Sequence, residues 1–227
     1  HRDFKVLGGA RTDAMVSANH SVFMLFCRDR FDPERLAKEL NGHLPGDIRV
    51  LGAEIKDVDF NIINSPRIKE YIYLFSCGTK GHPFSASLLH AVRETLDIEL
   101  MKQGAKLFEG RHRFNRYCTQ PSGRTRLDRD VLLSRIEPNH EISAVFFPGE
   151  SYLFRVRSMG FLRNQIRLMM GQLIELGAGR IALEDIERSL NGDNGPALRQ
   201  IAPASGLILN RIILGGPDVA AADNHGA

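Results

Sequence analysis

RIKEYIYLFSCG, residues 67–78, sets Tyr71, Tyr73 and Phe75 at every second position. That spacing is one face of a β-strand, so the stretch predicts a strand with an aromatic face. Tyrosines placed this way are ordinarily sheet-face or core residues, and they stack on bases where the face lines a cleft. Upstream, FKVLGGA (4–10) and SVFMLFC (21–27) read as strands around a Gly-rich turn, and DIRVLGAEI (47–55) returns to strand patterning. DPERLAKELNG (32–42) reads as a short helix, with Asp32 as N-cap, Pro33 in the first helical position and Gly42 at the close. Downstream, the polar stretch CGTKGHPFSAS (77–87) marks a domain boundary or long connection. DIELMKQGAKLFEG (97–110) is helical, with Ile98, Met101, Ala105 and Phe108 on one face. Strands are expected at about 129–137, 141–147 and 151–158. FLRNQIRLMMGQLIEL (161–176) is the clearest helix, with a stripe of Leu162, Ile166, Met169 and Leu173 and with Gly177 as its C-cap. ALEDIERSLNG (182–192) adds a helix and GLILNRIIL (206–214) a final strand, while the tail from 217 to 227 has too little apolar content to pack.

This order of elements predicts an α+β protein of two half-domains, residues 1–82 and 83–216, each an antiparallel sheet backed by helices. A chain of 227 residues with 43% hydrophobic content can fill such cores. Cys27, Cys77 and Cys118 stand far apart, which argues against a zinc site or disulfide framework and suits a reducing cytosol. No apolar run of membrane-spanning length and no signal-peptide pattern occurs, so a soluble cytoplasmic protein without a membrane role is expected. The eight histidines show no metal-ligand spacing, and Walker, G-x-G-x-x-G and G-x-S-x-G motifs are missing.

Two features carry chemistry. The net charge of +3 hides local clusters of arginine: Arg111, Arg113 and Arg116, then Arg124, Arg126 and Arg129, then Arg155, Arg157, Arg163 and Arg167. Such clusters, interleaved with Phe114 and Tyr117, suit an RNA backbone, the plain alternative being a solvated, ion-paired surface. The second feature is GGARTDAMVSANH (8–20), where Asp13 is the standout carboxylate on a glycine-fed loop beside Arg11. Arg167 lies among Ile166, Leu168, Met169 and Met170, where a guanidinium requires a partner, and Asp13 is a candidate for it.

ARTDAMVSA (10–18) resembles the G-R-T-D-x-G-V-x-A signature of the TruA family of tRNA pseudouridine synthases. NGHLPGDIRVLG resembles that family's N-x-x-L-P-x-D-I-x-V segment, RIKEYIYLF its K/R-x-Y-x-Y strand, and LFEGRHRFNRYC its L-x-G-x-H-x-F segment. GFLRNQIRLMMGQLIELGAGR and APASGLILNRI resemble its F-L-x-x-M-V-R-x-I-V-G-x-L-x-E-V-G-x-G and A-P-x-x-G-L-x-L segments, in the same order. The resemblance implies two RRM- or ferredoxin-like half-domains whose sheets run on into one another, flanked by helices, with a cleft between them. It implies isomerisation of uridine to pseudouridine in tRNA, in the anticodon stem-loop, by a homodimer that needs no metal or organic cofactor. Position by position, Asp13 matches the catalytic aspartate and Arg11 the arginine that positions the loop or a phosphate. Tyr71 matches the tyrosine that stacks on the target base, Arg167 the arginine that pairs with the aspartate, and Leu207 part of the apolar wall. Arg111, Arg113 and Arg163 are the expected RNA-binding residues. The alternatives are a catalytically silent RNA-binding protein of the same fold and a structural protein without an RNA role.

The sequence also departs from that pattern. Met15 stands at the glycine of the signature and Ser17 at its histidine; methionine does not adopt positive φ cheaply, so a differently shaped loop is expected. Ile63 and Asn64 replace the arginine and phenylalanine of an H-A-R-F-S segment, and Arg163 and Asn164 replace paired histidines. The family's Y-D-G strand and following helix precede its R-T-D loop, whereas His1 stands ten residues before Arg11, so the first half-domain is expected to lack them.

Overall fold

The computed structural model describes residues 4–63, 65, 67–192 and 195–215; Asn64 and the expected flexible tail lie outside them. Its elements are β1 (Phe4–Gly8), β2 (Ser17–Ala18), β3 (Phe23–Cys27), α1 (Pro33–His43), β4 (Arg67–Cys77), β5 (His90–Val92), α2 (Ile98–Lys106), β6 (Gly110–Arg113), β7 (Asp128–Pro138), β8 (Tyr152–Ser158), α3 (Gln165–Gly177), α4 (Leu183–Leu190) and β9 (Leu207–Leu214). They group into two compact units, one from the residues up to Ala10 with Val22–Ser65, the other from Arg11–Ser21 with the residues from 66 onward.

In the first unit β1 and β3 pair antiparallel, from Phe4 opposite Cys27 to Gly8 opposite Phe23. α1 begins as its sequence demands: Pro33 opens it and the Asp32 carboxylate accepts from the Glu34 amide at 3.1 Å. The strand expected at 47–55 does not form. Asn41 intercepts its backbone instead, donating to the Val50 carbonyl at 2.8 Å and accepting from the Val50 amide at 2.7 Å. A side chain that satisfies both backbone groups removes the need for a ladder partner.

The second unit is a seven-stranded sheet in the order β2-β9-β4-β8-β7-β6, with β5 joined to the end of β4. β4 runs antiparallel to both β8 and β9, while the short β2 and β5 pair in parallel with β9 and β4. The sheet is therefore mostly antiparallel, within a mixed α+β fold. β4 is buried from Ile68 and from Glu70 to Ser76, so its two faces meet different neighbours. Ile72 and Leu74 pack with Leu89, Leu153 and Ile208. Tyr71, Tyr73 and Phe75 point the other way, as the period of two requires. α2 lies on β7, where the Ser134 hydroxyl donates to the Ala105 carbonyl at 2.7 Å. Gly104 lets α3 and α4 close on α2: a Cβ there would stand 2.4 Å from Leu176 Cδ2 and 3.2 Å from Ile186 Cδ1.

Several boundaries differ from expectation. No strand forms over 141–147, because the Asn139 side chain accepts from the amides of Glu141 and Ile142 and donates to the Ile142 carbonyl. α3 starts at Gln165 rather than 161, after Asn164 in the left-handed conformation (φ 60°), and its C-cap is Ala178 rather than Gly177, with Gly179 at φ 72°. α2 ends at Lys106, and β5 and β6 arise in stretches with no strand signal of their own.

A charged cluster lies on the Glu70 face of the sheet. Glu70 is fully buried and accepts from Arg155 Nη1 at 2.9 Å, Arg157 Nε at 2.5 Å and Asn210 Nδ2 at 2.6 Å. Arg155 also reaches Glu137 at 2.6 Å and pairs with Glu141. Burial by itself would raise the Glu70 pKa; the Asn210 hydrogen bond and the two arginine charges outweigh it and hold the carboxyl below its usual range. Two of the clustered arginines, Arg155 and Arg157, are thus buried ion-pair partners and not surface available to RNA.

Candidate active site

The Arg11–Ser21 loop belongs wholly to the second unit. It is fastened to β9 by the pairing of Ser17 with Ile208 and Ala18 with Leu209, and by the Asn19 amide on the Leu209 carbonyl at 2.9 Å. The Asn19 side chain donates to Asn210, which in turn donates to Glu70, so the buried charge cluster also braces this loop. At its tip the Val16 amide donates to the Asp13 carbonyl at 3.1 Å, closing a tight turn. Met15 takes φ 68°, the left-handed region that favours glycine, at a cost of roughly 1–2 kcal/mol. Methionine occupies the left-handed position without reverting to an extended backbone there.

A cavity of about 630 Å³ opens beside this turn and gathers Arg11, Asp13, Tyr71, Arg163, Arg167 and Leu207. Asp13 is exposed, and among the described residues its carboxylate has no ion pair or hydrogen bond. It lies close enough to Tyr71 for its charge to be felt: burial first and the Asp13 charge second push the Tyr71 phenol up to about 12. Tyr71 therefore stays a neutral phenol at any physiological pH. Its ring meets Phe161 edge-on, with centroids 5.5 Å apart and planes at 89°, a favoured aromatic geometry that fixes the ring at the cavity wall.

Arg167 projects from the first turn of α3. Its Nε donates to the Ala202 carbonyl at 2.7 Å and its Nη1 to Asn164 Oδ1 at 3.1 Å, while the Ala202 amide returns a bond to the Arg167 carbonyl at 3.1 Å. The ion pair with Asp13 considered from sequence is not closed in this structure; the two side chains share the cavity, and the guanidinium keeps further donors for an anion. Leu207 opens β9 opposite Tyr73 and supplies apolar wall. Arg163 is exposed at the rim, with Nη1 on Gln120 Oε1 at 2.6 Å. Arg111 and Arg113 lie on β6 at the sheet edge, exposed and outside the cavity lining.

Lys69 also lines the cavity. It shares a strand face with Tyr71 two positions on, the signal by which the sequence could have disclosed it. Burial, and then the neighbouring Arg67 charge, lower its pKa. Among the described residues, no three or more His, Cys, Asp or Glu side chains gather as a metal site, and no helix is long and apolar enough to cross a membrane.

Comparison with known proteins bears on this cavity. A family model described as tRNA pseudouridine synthase matches residues 105–213, which include Arg167 and Leu207. The tRNA pseudouridine synthase A of Shouchella clausii is 30% identical over 212 residues, 93% of this chain and 78% of that protein. The chain belongs to the tRNA pseudouridine synthase A family. Two other members, from Dictyoglomus thermophilum (31% identical, 92% of this chain, 82% of that protein) and Limosilactobacillus reuteri (30%, 94% and 80%), match over a similar span. In this member of the tRNA pseudouridine synthase A family Met15, at the glycine of the resembled signature, takes φ 68°, and Gly171 on the arginine-bearing helix lies directly against the Gln200 backbone, where a Cβ would stand 2.0 Å from the carbonyl oxygen.

Proposed function

We propose that this protein isomerises uridine to pseudouridine in tRNA, with Asp13 as the catalytic carboxylate. The observation that carries the reading is the Asp13 carboxylate, unpaired among the described residues, in a cavity that also holds Tyr71, Arg167 and Leu207, in a chain of this family. The reaction breaks the C1′–N1 bond and rejoins the same base to C1′ through C5; the C5 proton is released to solvent and N1 takes up a proton in its place. Atoms and electrons balance within the substrate, so no electron carrier is required. Asp13 acts as nucleophile at C1′, as nucleophile at C6 of the base, or as base toward the C2′ proton, and all three routes need it ionised.

A base inside an RNA fold must be unstacked before a protein side chain reaches its sugar. Tyr71 receives the extruded uracil face to face, and Leu207 closes the pocket beside it. The cavity volume falls within the roughly 300–1,000 Å³ of pockets that enclose small ligands. Arg11 and Arg163 hold backbone phosphates at the rim, and Arg167 supports the carboxylate when substrate is bound. Arg111 and Arg113 extend the cationic track along the sheet edge. The same proposal takes the anticodon stem-loop as target, a homodimer as the form that spans it, and the cytoplasm as the setting.

The test is tritium release from tRNA labelled at uridine C5, comparing the parent with Asp13→Asn. Release by the parent and none by the variant is expected. Silence from a parent that still binds tRNA would overturn the enzyme reading and leave an RNA-binding protein of this fold.

A further inference from the structure

We infer that Tyr73, a fully buried tyrosine that does not line the cavity, is a positioning residue that sets both Arg167 and Leu207 for the reaction; this rests on the isomerase reading above. The Tyr73 hydroxyl donates to the Pro203 carbonyl at 2.8 Å. The preceding residue, Ala202, is the one that holds the Arg167 guanidinium through its carbonyl and the Arg167 backbone through its amide. Pro203 has no N–H, so this short strap is tied down through the Ala202 groups on the α3 side and the Pro203 carbonyl on the β4 side. Tyr73 is the tie on the β4 side.

The strap then folds over the Tyr73 ring. A Cβ on Gly206 would stand 2.6 Å from Tyr73 Cζ and 2.7 Å from Cε1. The backbone at Gly206 is thus pressed onto the ring, and the next residue is Leu207, in register with Tyr73 and facing the cavity. One side chain fixes where the strap starts and where it delivers the apolar wall.

The phenol is itself oriented. Tyr73 has a single hydroxyl proton, given to Pro203, so toward His90 Nδ1 at 3.2 Å its oxygen accepts. The imidazole therefore carries its proton on Nδ1, and His90 on β5 fixes the direction of the hydroxyl. The rings meet edge-on, with centroids 6.1 Å apart. A relay results: His90 Nδ1–H to Tyr73 O–H to Pro203, with Ala202 next in the chain presenting its carbonyl to Arg167 Nε.

The experiment pairs kinetics with a readout that does not depend on turnover. In Tyr73→Phe the ring and its packing on Gly206 remain while the tie is lost. The expected result is a fall in kcat of about tenfold, the equivalent of one hydrogen bond of some 1.4 kcal/mol, with KM for tRNA within twofold. Hydrogen exchange of Arg167 Nε–H, followed by NMR and assigned by its loss in Arg167→Lys, is expected to accelerate at least fivefold. His90→Asn, whose amide replaces the Nδ1–H donor, is expected to retain kcat within twofold, and His90→Ala to lose part of it. Unchanged kcat and unchanged Arg167 exchange in Tyr73→Phe would overturn the inference, as would a change confined to KM. Silence from the parent enzyme would instead overturn the isomerase reading, and full activity in Asp13→Asn the role of Asp13; in either case the exchange measurement would still decide whether Tyr73 holds the strap.

Discussion

Replacing Gly171 with alanine tests the seat of Arg167 from the helix side. Gly171 stands one turn after Arg167 on α3, so the two share a face. A Cβ there would lie 2.0 Å from the Gln200 carbonyl oxygen and 2.8 Å from its carbon. These are backbone atoms, and they must withdraw by about 1 Å to reach even the closest contact real Cβ atoms make. The Ala202 groups two residues on bond to Arg167 at 2.7 and 3.1 Å, and a shift of that size carries both beyond hydrogen-bond reach. One bond is charge-assisted and the other neutral, so their loss removes about 2–4 kcal/mol. Alanine returns about 1 kcal/mol of helix propensity, leaving a net destabilisation of about 1–3 kcal/mol. Displacing Arg167 by an ångström is also expected to cost on the order of a hundredfold in activity. Urea denaturation measures the first effect and tritium release the second. Equal or greater stability in Gly171→Ala, the outcome of helix propensity alone, would refute the reasoning, because the strap would then not depend on this close approach.

Three other outcomes are expected. Met15→Gly relieves a left-handed methionine and raises stability by up to about 1 kcal/mol after the entropy of the unfolded glycine is counted, read as a higher urea midpoint; a lower midpoint would show that the methionine side chain is stabilising the loop. Glu70→Ala leaves Arg155 and Arg157 buried without their shared carboxylate and is expected to destabilise by about 3–5 kcal/mol in calorimetry or urea, where a loss under 1 kcal/mol would mean the guanidinia find water. Burial lowers the His90 pKa below its ordinary value of about 6.5. The unfolded chain therefore takes up a proton that folded His90 refuses. Stability is full above that pH and declines as pH falls below it, by at most about 1.4 kcal/mol per pH unit. His90→Asn should flatten that part of the pH profile, and an unaltered profile would assign the decline to other groups.

Where local chemistry decides, the sequence is sufficient. Asp32 and Pro33 start α1 in any surroundings, because the cap and the fixed φ act within one turn. The alternation through Tyr71, Tyr73 and Phe75 makes a strand whose aromatic face is visible residue by residue. DIRVLGAEI and the stretch 141–147 carry strand-like residues too, yet Asn41 and Asn139 capture their backbones. β5 and β6 are the reverse case: His90–Val92 and Gly110–Arg113 have little strand character and extend because β4 and β7 offer them edges.

The site divides the same way. Asp13, Arg11, Tyr71, Arg167 and Leu207 were legible as residue types in ordered motifs, and the cavity gathers all five. The sequence could not say which arginines face solvent: Arg155 and Arg157 pair with Glu70 across strands far apart in the chain, while Arg163 is exposed at the rim. Nor could it say that Tyr73 ties down the strap under Arg167, whereas Lys69, two positions before Tyr71 on the same strand face, was open to the same period-of-two reading. By itself the sequence determined the family, the α1 cap, the aromatic strand and the identity of the candidate catalytic carboxylate, since these rest on chemistry within a few residues of chain. Tertiary structure decided which strand edges found ladder partners, which charges were buried, and how the Ala202–Pro203 strap was seated, because these depend on atoms distant along the chain, 35 residues for Arg167 with Ala202 and 140 for Glu70 with Asn210.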